Sequence, residues 1–191
     1  MGDVAYVTMS GPVTDSFSNA DITSITSDLA EVYGVNQDDL ATSIDYVTSG
    51  NLDVTIPETM SNQDAIAALE GSISDVLGVH PKDVRVTIEN GVVTYFVTEP
   101  TFEEAEAIQT IASSPEFTSL LAEDLMKDQS DLVVNDSITD DEILFVLSVT
   151  IDTTDAEVTT DPDIGIEQII DNYNLADYFA ESNLKISFSF V

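Results

Sequence analysis

Carboxylates are the main chemical resource of this chain. Asp and Glu number 37 against 4 Lys and Arg, a net charge of −33. The set best spaced for a hard cation is Asp152, Asp155, Glu157, Asp161 and Asp163, in a Thr-rich stretch expected to be a loop. Ca2+ takes about 6–8 oxygen ligands and tolerates loop geometry, so this loop is the candidate metal site. An EF-hand needs a glycine six positions into its ligand run. Here the glycine falls at 165, so the plainer reading is a solvated acidic loop.

Other chemistry has little to work with. His80 is the sole histidine and precedes Pro81, in an expected helix-to-strand loop. A triad or zinc site needs partners that this chain does not supply, which makes His80 a surface loop residue. Gly71-Ser72 falls inside an expected helix and reads as a small-residue packing point, not a nucleophile. No phosphate-binding glycine loop and no Gly-x-Ser-x-Gly occurs. Carboxylate pairs are too common to mark a glycosidase, and Trp, which stacks sugars, is absent. The expectation is a protein that is not an enzyme.

The charge balance excludes further classes. Nucleic-acid binding releases counterions through clustered cations. Lys82, Arg85, Lys127 and Lys185 are the only basic residues and form no cluster. An anionic membrane would repel the chain, and no apolar run approaches the ~18 residues of a spanning helix. Without cysteine there is no disulfide, thiol nucleophile or zinc-thiolate site. High net charge mainly favours solubility, and saline or cation-rich surroundings would screen it. Met1-Gly2-Asp3-Val4 lacks the basic and apolar regions of a signal peptide. That leaves an intracellular chain, or a mature or engineered start.

The elements that position these residues are organised around 65–97. Ile66, Leu69, Ile73, Val76 and Leu77 fall on one stripe of an amphipathic helix. Gly78 suits its left-handed C-terminus. Val84, Val86 and Ile88 alternate with polar residues as a half-buried strand. Asn90-Gly91 is a strong hairpin signal, and Val93, Tyr95 and Val97 return. An earlier copy carries Ile22, Ile25, Leu29, Val32 and Tyr33, then Gly34-Val35, 44 residues before Gly78-Val79. Asp39-Leu40 matches Asp83-Val84, and the expected corner is 48–51, with Val54 and Ile56 returning. A 44-residue period implies a repeated supersecondary unit.

Elsewhere, Val4–Met9 reads as a strand ended by Gly11-Pro12. Thr101 and Glu104 form a capping box for a helix with stripe Phe102, Ala105, Ile108 and Ile111. Ser114-Pro115 restarts a helix that buries Phe117, Leu120, Leu121 and Leu125. Leu132–Val134 is a short strand, 135–141 a polar loop, and Leu144–Ile151 a central strand. Ile166, Ile169, Ile170 and Tyr173 mark a helix, and 184–190 alternates as a final strand. The expected fold class is α+β: two ferredoxin-like βαββαβ units, with helices on one face of antiparallel sheets. Residues 51–139 make a central unit; 1–50 with 140–191 make a second, split one. The rival division is a plain tandem, 1–57 then 58–191.

The stretch from Asp75-Val76-Leu77-Gly78-Val79 through 84–88, Asn90-Gly91 and 92–97 resembles the SEA-like modules of secreted structural proteins. The likeness covers about a third to half of the chain. It implies a structural or adhesive module and no catalysis. Some members cleave themselves at a Gly-Ser bond in this corner; here Gly91 precedes Val92 and Gly50 precedes Asn51, so that step is not expected. The expected function is a non-catalytic structural or interaction protein, a subunit of an extracellular or surface assembly such as a filament, coat or appendage. The alternatives are a Ca2+-dependent binding or adhesion module, then an acidic hydrolase. Its partners are copies of itself or related subunits, with no nucleic acid and no membrane insertion. A strand at the chain terminus offers an edge for such self-association.

Overall fold

The computed structural model describes residues 4–13, 19–128, 130–152 and 185–190. They form an α+β fold. In chain order it has β1 (Val4–Val13), α1 (Asn19–Tyr33), β2 (Leu40–Thr55), α2 (Asn62–Leu77) and β3 (Val84–Glu89). There follow β4 (Val92–Glu99), α3 (Phe102–Ala112), α4 (Phe117–Lys127), β5 (Val133–Thr139), β6 (Ile143–Asp152) and β7 (Lys185–Phe190). The chain divides into two compact units, Tyr46–Ile143 on one hand and Met1–Asp45 with Leu144–Val191 on the other. The first boundary falls inside β2, between Asp45 and Tyr46.

In the 46–143 unit the strand order is β3-β4-β2-β5. The β3-β4, β4-β2 and β2-β5 pairings are all antiparallel. The core is Leu69, Ile73, Val86, Tyr95, Val97, Phe117, Leu121 and their neighbours. Ile66, Val76 and Ile88, expected in this core, are half-buried against it. Helix α2 follows its apolar stripe. Ser61 caps it by accepting from Asp64 N at 3.1 Å, and its hydroxyl donates to Asp64 Oδ2. Thr101 caps α3 in the same way: it accepts from Glu104 N, and its hydroxyl donates to Glu104 Oε2.

In the split unit the strand order is β2-β6-β1-β7, and the β1-β7 pairing is antiparallel. Helix α1 buries Ile25, Leu29 and Ala30; β6 buries Phe145, Leu147 and Val149. The two terminal strands thus pair with each other, Ala5 opposite Phe190 and Ser10 opposite Lys185. The expected helix at Ile166–Tyr173 lies outside the described residues.

Several expectations need correction. The corner at 48–51 is no turn: it lies within the 16-residue strand β2. Asn135–Thr139 is not loop but most of β5. Its polarity misleads because an edge strand with one open face tolerates polar residues. β1 runs past Gly11-Pro12 to Val13. Its pairing with β7 ends at Ser10, so the missing Pro12 donor breaks no bond in that ladder. Helix α4 begins at Phe117, where Ser114 supplies a backbone carbonyl to Phe117 N and no side chain caps it. Leu120 and Ile111 are exposed at 44% and 38%, one step off their buried stripes. Of the Gly71-Ser72 pair only Ser72 packs; a Cβ on Gly71 would meet nothing within 4 Å.

Candidate functional site

The acidic groove of the 46–143 unit forms where α2 ends. Gly78 takes φ 71, which halts the helix, and Val79 N donates back to Ser74 O at 3.0 Å. His80 follows, exposed, and its Nδ1 accepts from Lys82 N at 3.2 Å. It caps the short 3-10 turn Pro81–Asp83, which sets Asp83 at the foot of β3. Across the groove β4 ends at Glu99, and the capped first turn of α3 presents Glu104. The groove has a volume of about 420 Å³. Buried Leu77 and Ile108 form part of its lining, with the more exposed Ile111.

Three carboxylates therefore surround a partly apolar floor. Burial holds the Glu99 carboxyl above the usual carboxylate range, and repulsion from Glu104 and Asp83 raises it further. The C-terminus of α2 adds to this field, because its last turn holds no basic residue. The arrangement favours protonation of Glu99 or a positively charged neighbour over an anion. His80, read from the sequence as a surface loop residue, lines this groove. Nothing in the sequence pairs Glu99 with Asp83, since strand pairing alone brings Val84 opposite Val97.

A second groove, of about 390 Å³, lies where β4, β2 and β5 meet. Asn51, Asp53, Val92, Asp136 and Ile138 line it. Asp53 and Asp136 are directly opposite in register, a like-charge pair that weakens the ladder. A bulge follows at Asp53/Val54, and Asn135 Nδ2 donates to Thr55 Oγ1 at 3.2 Å and Asp53 Oδ1 at 3.4 Å.

A ladder of close contacts runs across β4, β2 and β5. Tyr95, Gly50 and Thr139 are successive partners, and the Tyr95 hydroxyl bonds Thr139 Oγ1 at 3.1 Å. A Cβ on Gly50 would lie 2.5 Å from Tyr95 Oη and 2.7 Å from Ile138 O. Gly50 is there for close approach and not for a turn. Burial raises the Tyr95 pKa, opposed by the Thr139 hydrogen bond and assisted by Asp140. Ser49 donates to Asp140 Oδ2, and the buried Thr48 hydroxyl donates to Ala105 O of α3 at 3.0 Å.

The sequence-derived cation loop is not among these groups. Asp152 ends β6, with its side chain outside the described set, and Asp155, Glu157, Asp161 and Asp163 lie outside the described residues. Among the described residues no group of three or more His, Asp or Glu could hold a metal ion. No described helix is long and apolar enough to cross a membrane. No protein-family model matches this chain, and no curated protein matches it.

Proposed function

We propose that this chain is a non-catalytic structural or interaction protein, a subunit of a larger extracellular or surface assembly. Its building block in this reading is a ferredoxin-like, SEA-like module used twice, one copy inserted into the other. One observation carries it: the two units share a strand order. Numbering the described strands of each unit along the chain, β3-β4-β2-β5 and β2-β6-β1-β7 both run 2-3-1-4. Fold alone does not assign function, but module duplication enlarges the displayed surface without requiring a reaction centre.

Self-association is the testable content. β7 stands at the end of its strand order, where a further strand could add. A net charge of −33 opposes contact between copies, and salt or divalent cations screen it. Light scattering of the full chain across a salt series, with and without Ca2+, should show mass rising with ionic strength. A strict monomer at every salt and Ca2+ concentration would sink the reading. Assembly driven by micromolar Ca2+ alone would replace it with the Ca2+-dependent binding module.

A further inference from the structure

We propose that Asn135 is an N-glycosylation site and that its glycan shields the β5 edge. The proposal rests on the export assumed above. The chain contains nine Asn, and only Asn135-Asp136-Ser137 fits the acceptor pattern Asn-x-Ser/Thr. A tripeptide of this kind arises easily by chance, so its placement has to carry the argument.

Three features of that placement do so. Asn135 is exposed and sits at the register shift, the extra residue between Val134 opposite Val54 and Asp136 opposite Asp53. Bulges re-aim a side chain and end regular pairing, which frees this one from the ladder. Its amide donates only long hydrogen bonds, 3.2 Å to Thr55 and 3.4 Å to Asp53. A glycosylated Nδ2 keeps one hydrogen, so one of these survives the modification.

The edge itself is the third feature. The opposite edge of this sheet is blunted from within: Val86 N on β3 donates to Glu70 Oε1 of α2 at 3.0 Å. β5 pairs with β2 on one side and has no strand partner on the other among the described residues. It exposes Val133 at 53% and Ile138 at 68%, on either side of Asn135. An open edge with exposed apolar residues is a template for unwanted pairing. A bulky hydrated glycan between those two residues would cover it and leave assembly to other edges.

The chemistry is a transfer from a lipid-pyrophosphate-linked oligosaccharide. Asn135 Nδ2 attacks the anomeric carbon, and an N–C bond forms. The anomeric C–O bond breaks, the lipid pyrophosphate leaves with the bonding pair, and the amide proton passes to a base on the transferase. Ser137 supplies the hydroxyl by which the acceptor is recognised.

The test is the intact mass of the full chain from its natural source, before and after amide-glycan hydrolysis. The expected result is an oligosaccharide mass that is lost on treatment, leaving aspartate at 135. Asn135→Gln and Ser137→Ala should abolish the mass shift, and Ser137→Thr should retain it. Chain recovered outside the cell at its unmodified peptide mass overturns this proposal and leaves the export reading standing. Chain found only in the cytosol overturns both.

Discussion

From Gly34 to Leu40 and from Gly78 to Val84 the chain takes the same path twice, 44 residues apart. Gly34 and Gly78 have φ 66 and φ 71. Val35 N donates to Ala30 O as Val79 N does to Ser74 O, both at 3.0 Å. The 3-10 turns Gln37–Asp39 and Pro81–Asp83 coincide, and a strand follows each. The paths then part. Asn90-Gly91 turns the second copy back, with φ 52 and φ 83. The same positions in the first copy are Tyr46-Val47, which cannot hold a two-residue reversal and favour a strand. So β2 runs on for 16 residues, and the unit boundary falls at Asp45/Tyr46. At these two positions the later segment turns back as a hairpin and the earlier one continues as a strand into the other unit.

The largest effect should come from the helix that both copies share. Ile73 is fully buried in α2, and Leu29 holds the matching position in α1 at 2% exposure. Ile73→Ala should cost about 2–5 kcal/mol, from lost transfer energy and the cavity left behind. Leu29→Ala should fall in the same range if the two copies are equivalent in packing. Urea denaturation of each variant measures both. An unchanged midpoint for either would remove that residue from its core.

Next come the glycines that distinguish the two corners. Gly50→Ala drives a Cβ into Tyr95 and Ile138 O, an overpacking cost of about 1–3 kcal/mol. Combined with Tyr95→Ala it should cost less than the sum of the single changes, because the two residues share the clash. Strict additivity would assign the clash to the Ile138 backbone alone. Gly91→Ala meets no atom within 4 Å, so only its left-handed φ resists, at about 1–2 kcal/mol. A lower melting temperature for Gly91→Ala than for Gly50→Ala would reverse the roles assigned to these two glycines.

This pair of glycines also shows what could be read from the residues. Helices α1 and α2, their glycine ends and the strand that follows each were visible as periodicity, because one buried face imposes it. Asn90-Gly91 announced its turn. Gly50 misled, since a glycine that admits a tyrosine ring looks the same in sequence as one that turns a chain. β5 was hidden for a related reason. Ser137 and Thr139 face buried partners through small polar groups, and Ile138 points to solvent, which inverts the usual alternation. The acidic groove was not legible at all, because Asp83, Glu99 and Glu104 meet only through strand pairing and the α3 cap. Among so many carboxylates, no spacing singles them out.

The smallest expected effect tests that groove against its counterpart. Glu99 ends the returning strand of the second copy, and Thr55 stands 44 residues earlier, where the first copy carries no charge. The Glu99 carboxyl is held above its ordinary value of 4.5, first by burial and then by Glu104 and Asp83. A carboxyl whose pKa rises on folding is at its best below pH 4.5, where it is protonated in both states. As the pH climbs from 4.5 through the folded pKa, the folded state must carry a disfavoured charge and relative stability falls. Glu99→Gln removes that charge. The variant should match the parent below pH 4.5, gain on it through the window above, and keep a constant lead at neutral pH. Added salt should shrink the lead only in part, because it screens Glu104 and Asp83 but not the burial. Melting curves at several pH values and two salt concentrations read all of this. A variant that melts lower than the parent at neutral pH would mean that the groove stabilises the Glu99 charge.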